Sequence, residues 1–131
     1  IGSDSHISVS PVEELRWLEY GQRLVTRRRN IAVTADTASV GATLFAGVQA
    51  SAVASTGFAA HDDTVVLDAD APLLAGATAH DVLDRWLFAG NRPLVQDVRV
   101  AGRQVVADGR HALHDDAARG YADAMRVLLA D

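Results

Sequence analysis

The sequence predicts an α/β chain, helical up to Gly57 and strand-bearing after it. Three observations predict this. Residues 11–29 carry apolar positions at helical spacing behind a strong start signal. Residues 64–68, 94–100 and 103–106 are short β-branched runs bounded by turn residues. The first residues, Ile1-Gly2-Ser3-Asp4-Ser5-His6, set a carboxylate among small and hydroxylated neighbours just before the first helix, which reads as the C-terminal end of a buried strand.

Taken in order, the first helix opens with Ser10 as N-cap, Pro11 at the first helical position and Glu13 placed to reach back as a capping-box carboxylate. Val12, Leu15, Leu18 and Val25 form its apolar face, which Trp17 and Leu24 widen. Glu13, Glu14 and Glu19 precede Arg23, Arg27, Arg28 and Arg29, which complements the helix dipole. The arginine run is either a solvated helix end or an anion-binding cluster. A second helix starts near Asp36, Thr37 or Ser39 and reaches about Ser55, with Val40, Leu44, Val48 and Ala52 one turn apart and many Ala and Gly residues suited to burial on more than one side. Gly57 fits its C-terminus. After the strand at 64–68, residues 79–88 read as a helix with Val82, Leu83, Trp86 and Leu87 facing inward. Residues 94–100 and 103–106 are joined by the two-residue loop Ala101-Gly102, and Asp108-Gly109 marks another tight turn. Asp115 or Asp116 caps a last helix striped by Ala118, Tyr121, Met125, Leu128 and Leu129.

The chain has 131 residues, enough for one core, and begins at Ile on an element with no neighbour to pair with, so a piece of a longer protein is expected. Twelve basic against 17 acidic residues, a formal charge of -5, argue against a nucleic-acid or anionic-membrane partner. Zero cysteines exclude disulfides and thiolate chemistry and suit a reducing cytoplasm. The 49% hydrophobic content is inflated by alanine; no run approaches the roughly 18 residues of a membrane span, and the first residues lack the basic region and long apolar core expected of a signal peptide.

Asp4 is the candidate functional residue, because α/β folds place catalytic and metal-binding carboxylates at strand ends; the competing reading is a loop cap. The five histidines, His6, His61, His80, His111 and His114, form neither a His-x-His pair nor a His-Glu-x-x-His helix. His111 and His114 are three apart and read as either exposed residues or a weak metal pair. Ser3, Asp4 and His6 do not suit a catalytic triad, since side chains this close on an extended stretch diverge. No phosphate loop or dinucleotide fingerprint is present.

The run Gly2-Ser3-Asp4-Ser5-His6 followed by Ser8-Val9-Ser10-Pro11-Val12-Glu13-Glu14-Leu15-Arg16-Trp17-Leu18-Glu19-Tyr20-Gly21-Gln22-Arg23-Leu24 resembles the amidohydrolase superfamily, and within it the deiminases acting on N-formimino-L-glutamate in histidine degradation. Arg85-Trp86-Leu87-Phe88-Ala89-Gly90 and the hairpin from Asp97 to His111 continue the likeness. The Gly-Ser-Asp signature and the hairpin are shared widely in the superfamily, whereas the Glu-Leu-Arg-Trp-Leu-Glu-Tyr-Gly-Gln-Arg-Leu run is specific to the deiminases.

The resemblance implies an α/β fragment of a (β/α)8 barrel: the end of strand eight and the helices after it over residues 1–57, part of a small β-sandwich domain over 58–112, and a C-terminal helix over 113–131. It implies one divalent metal, usually zinc, with Asp4 as both ligand and proton acceptor, Ser3 and Ser5 orienting it, and His6 at the pocket wall. The substrate is a small molecule, deaminated to N-formyl-L-glutamate and ammonia. The remainder of the barrel is the chain's expected partner, within a homodimer, and the fragment alone is expected to be inactive. The other metal-binding histidines have no counterpart here. Residues 56–64 also lack the Gly-rich approach ending in Arg-Ala-Asp, which puts the path into the small domain in doubt. Two alternatives stand: a heterocycle deaminase of the guanine or triazine type, or a non-catalytic structural module. The fragment reading further expects Leu15, Leu18, Leu44 and Val48 to be exposed, awaiting the missing barrel.

Overall fold

The computed structural model describes residues 1–5, 7–57 and 62–130. It is an α/β chain of four α-helices and a small antiparallel sheet, which divide by contact into two units: Ile1–Ala59 with Ala69–Arg92, and Ala60–Asp68 with Pro93–Asp131.

The first unit is helical. Helix α1, Pro11–Thr26, starts where the sequence predicts: Ser10 is extended and its hydroxyl accepts from the Glu13 N–H at 3.3 Å. The Glu13 carboxylate accepts from the Ser8 hydroxyl and from Trp17 Nε1. Helix α2, Val40–Thr56, is capped by Ser39, which accepts from the Ala42 N–H at 3.0 Å, and ends at Gly57 with φ 71°. A 3₁₀ turn, Pro72–Leu74, leads to the short helix α3, Val82–Phe88. Ahead of α3 the Asp81 carboxyl is held down to about 2 by hydrogen bonds from the Thr78 N–H and hydroxyl and by Arg85.

Leu87 of α3 is fully buried and packs with Leu15, Val40 and Leu44, flanked by Val12, Ala32, Val48 and Phe88. Leu15 and Leu44 are therefore core residues of this chain rather than faces left bare, Val48 is half-buried, and only Leu18 of the expected four is exposed. The helix α3, grouped by the sequence reading with the strands of 58–112, packs with α1 and α2. Burial of α2 on several sides is not observed either: every residue from Gln49 to Gly57 is exposed. Its alanine-rich pattern specifies no single face, and only its first turns meet α3.

Three polar ties lock this core. Arg16 donates through Nε to the Leu87 carbonyl and through Nη1 to Asn91 Oδ1, each at 2.5 Å, and through Nη2 to the Gly90 carbonyl, which satisfies the carbonyl end of α3. Asp84 accepts from the Gly41 N–H at 2.7 Å, a carboxylate on the positive end of α2. Glu19, only 1% exposed, accepts from Arg23 Nε at 2.7 Å and from the N–H groups of Ile31 and Ala32 at 2.9 and 3.0 Å. Burial alone would raise the Glu19 carboxyl, but these hydrogen bonds and the Arg23 charge outweigh it and leave it below its ordinary 4.5. Arg23 also lies over the rings of Tyr20 and Phe88, at 5.2 and 5.6 Å.

The second unit is a four-stranded sheet in the order β1-β2-β3-β4: Thr64–Leu67, Val95–Val100, Arg103–Ala107 and Arg110–His111. Thr64 pairs with Arg99 and Val106 with His111. The predicted turns are both two-residue loops with left-handed angles, Ala101 at 48° and Gly102 at 73°, then Asp108 at 49° and Gly109 at 73°, the geometry that matches strand twist. Alanine is a costly choice there, and Asp63 holds it by accepting from the Ala101 N–H at 2.8 Å. Asp97 accepts from Gln104 Nε2 and the Asp108 N–H. Helix α4, His114–Leu128, starts with Leu113 at its N-cap, not at Asp115 or Asp116. Those two carboxylates pair with Arg110 and Arg119 instead of capping. No residue of α4 is fully buried, and among the described residues its apolar stripe is left mostly uncovered, with Met125 half-buried.

Two outcomes test this packing. A Cβ at Gly41 would stand 2.6 Å from the Leu83 and Asp84 backbone, whereas none would be met at Gly47. In urea unfolding Gly41→Ala should destabilise, although alanine in a helix ordinarily gains about 1 kcal/mol over glycine, and Gly47→Ala should realise that gain. Because the Glu19 carboxyl is depressed in the folded state, its stabilisation is present above pH 4.5 and lost as pH falls through the lowered folded value. Glu19→Gln should cost about 1–3 kcal/mol at pH 7 and flatten the acid limb of a stability profile measured by denaturant titration.

Candidate functional site

The segment before α1 is built from small polar residues, and it does not form the strand end that its sequence suggests. Residues 1–3 have no regular structure, Ile1 is 59% exposed, and Asp4 and Ser5 form a turn. A strand needs a neighbour to satisfy its backbone, and none lies beside these residues among those described.

Asp4 has φ 41°, in the left-handed region that aspartate tolerates better than most residues. Its side chain is exposed, and no hydrogen bond or ion pair engages its carboxylate among the described residues. Ser3 is half-buried and Ser5 exposed, and neither orients Asp4 through a hydrogen bond among the described residues. His6, expected at the pocket wall, lies outside the described residues, as do His61 and the rest of 58–61.

From Ile7 the chain runs toward α1 with alternating exposure. Ile7 and Val9 are 99% and 87% exposed, while Ser8 and Ser10 are half-buried. The polar side chains face the unit because Glu13 receives both: its carboxylate takes the Ser8 hydroxyl and its N–H binds the Ser10 hydroxyl. The Glu14 N–H closes the first helical turn on the Ser10 carbonyl at 3.0 Å.

Beside this tie lies an open cleft of about 280 Å³ lined by Glu13, Arg16, Trp17, Tyr20 and Asn91. Its one cation, Arg16, is turned onto the end of α3, so the cleft offers little to grip a substrate carboxylate.

The remaining candidates do not converge. His80 and His114 are exposed, and His111 Nδ1 accepts from the Leu113 N–H at 3.1 Å. No group of three or more His, Cys, Asp or Glu placed to hold a metal occurs among the described residues. Arg27, Arg28 and Arg29 are all exposed at the end of α1, where Arg27 is a left-handed cap at φ 54°. Sequence reasoning missed the roles of Arg16 and Glu19: both look like ordinary surface charges of an amphipathic helix, and only their partners, far along the chain or in a loop, mark them out. No helix among the described residues is long and apolar enough to cross a membrane.

No family model matches the chain. It is 48% identical over 136 aligned positions to formimidoylglutamate deiminase of Pseudomonas aeruginosa, an alignment covering 98% of this chain and 30% of that protein. Its fold superposes on the crystal structure of an amidohydrolase from Brucella melitensis with a TM-score of 0.87 and 40% identity, again covering 98% of this chain and 30% of the other. In sequence and fold alike, the chain is similar over nearly its whole length to part of an amidohydrolase, and by sequence to part of a formimidoylglutamate deiminase.

Proposed function

We propose that the chain works as part of a longer metal-dependent hydrolase that deaminates N-formimino-L-glutamate to N-formyl-L-glutamate and ammonia, with Asp4 as a metal ligand and proton carrier. The observation that carries this reading is the 48% identity to a formimidoylglutamate deiminase along 98% of the chain. The fold match to an amidohydrolase supports the same class of chemistry.

The donor set fits a metal in part. Asp4 supplies a hard, exposed oxygen donor with no competing partner among the described residues, as a divalent ion requires. The described residues do not complete a centre by themselves, and in this reading the other ligands are supplied by the rest of the longer protein. When bound, a divalent metal supplies Lewis acidity that makes water nucleophilic near neutral pH. The work of this chain is proton handling at Asp4. One carboxylate oxygen accepts the proton of the water attacking the formimino carbon, then returns it to the departing nitrogen so that ammonia leaves as a neutral amine. The sheet and its hairpins act as part of a small domain beside the barrel, and α4 as its terminal helix.

The test is Asp4→Asn in the full-length protein that carries this chain. Deamination of N-formimino-L-glutamate, followed by ammonia release, should fall about 100- to 10,000-fold. Unchanged turnover with metal still bound would remove Asp4 from the reaction.

A further inference from the structure

Helix α4 has 15 residues, a length at which an isolated helix is marginal in water and draws its stability from packing an apolar face. Among the described residues it packs little: Ala122 and Met125 are half-buried and the rest of the helix is exposed, Tyr121 and Leu128 at 71% each. Polar ties hold only its start, from the Leu113 N–H to His111 Nδ1 and between Asp115 and Arg110.

The exposed face is ordered. Ala117, Tyr121, Ala124 and Leu128 recur at intervals of four, three and four, the seam spacing of a coiled-coil heptad, with Tyr121 and Leu128 at a and the two alanines at d. The flanking e and g positions are Ala118, Gly120, Met125 and Val127, none of them charged. Asp115, Asp116, Arg119, Asp123 and Arg126 all fall at b, c and f on the opposite side, where Asp116 pairs with Arg119 and Asp123 with Arg126. Charge therefore neither interrupts the apolar face nor selects a charged partner for it.

This face fits a copy of itself. In an antiparallel pair, one register sets Tyr121 level with Ala124 of the partner subunit and Leu128 level with Ala117 of the partner subunit, because both pairs share a midpoint between residues 122 and 123. Each layer then holds one large and one small side chain, which lets the two faces interdigitate. The same alignment lays the acidic first turn, Asp115 and Asp116, beside the last turn of the other helix, with the partner's Arg126, and opposes the two helix dipoles. A parallel pair would set tyrosine against tyrosine and acidic turn against acidic turn. Self-complementarity is what a two-fold interface requires, since one patch must serve both sides. We propose that α4 is a dimerisation helix: it pairs antiparallel with α4 of a second copy of the protein along Ala117, Tyr121, Ala124 and Leu128. The pairing is independent of the chemistry at Asp4.

The test is sedimentation velocity over a dilution series of the full-length protein that carries this chain, with thermal melting of each variant at dilution. The parent should pass from dimer to monomer as it is diluted. Tyr121→Asp and Leu128→Asp each place an unpaired charge in the seam; they should raise the dimer dissociation constant about a hundredfold and leave the melting temperature of the monomer unchanged. Tyr121→Ala leaves two small residues in a layer and Ala124→Tyr two large ones, so each alone should weaken pairing about tenfold. Together they exchange large for small and should restore the parent's constant to within about threefold. A parent that is monomeric at every concentration overturns the proposal. So does a dimer whose dissociation constant is unmoved in both aspartate variants, the result expected if another part of the longer protein covers α4. The exchange variant adds no charge, and its failure to restore the pairing lost in Tyr121→Ala overturns the proposal even if the aspartate variants do not fold.

Discussion

One arginine ties the first unit together across 71 residues of sequence. Arg16 reaches from α1 to the Leu87 carbonyl in the last turn of α3, a group that a helix end leaves without a partner, and to the Gly90 carbonyl just past it, and so places Leu87 against Leu15 and Leu44. The position of α3 then sets that of α2: Gly41 allows the two backbones to touch, and Asp84 binds the N–H that Gly41 presents. The long connection after α1 is held by Glu19, whose burial is tolerable because three donors replace its lost water. Removing any of these groups would leave carbonyls, N–H groups or a carboxylate buried without partners, which costs more than the bonds themselves contribute.

Helix α1 is apolar on two faces. Val12 and Leu15 lie on the side that meets α3, while Trp17, Leu18, Leu24 and Val25 form a second stripe on the far side, from 48% to 80% exposed. Two apolar faces on one helix suit a layer with neighbours on both sides. The exposed second half of α2 has the same character. Both agree with a chain that spans only 30% of the length of the proteins it is similar to.

Local signals in the sequence were legible wherever the physics is local. The Ser10 cap with Pro11, the Gly57 stop and the two hairpin loops need only their own backbone angles and side chains, and each stands where the residues place it. Non-local choices were not. Periodicity gives α1 one broad apolar face and cannot separate Leu15, which is buried, from Leu18, which is not. Glu19 reads as a dipole-compensating surface acid, since its partners at 31 and 32 are set by the course of a loop. Asp115 and Asp116 were good caps by composition, but nearby arginines compete for them. The strand end at Ile1 failed for a related reason: pairing belongs to two strands, and a single segment cannot form it alone. Of the candidate site, Asp4 stood out as a carboxylate at an expected strand end, while the tie from Ser8 to Glu13 was hidden behind a motif that predicts a different bond for the same side chain.

In the proposed function Asp4 stands in a metal centre that the longer protein completes. Anomalous diffraction at the zinc edge from crystals of the full-length, zinc-loaded protein tests this most directly. The expected result is a peak about 2.0–2.2 Å from an Asp4 carboxylate oxygen. A zinc ion bound at full occupancy out of reach of Asp4 would contradict it.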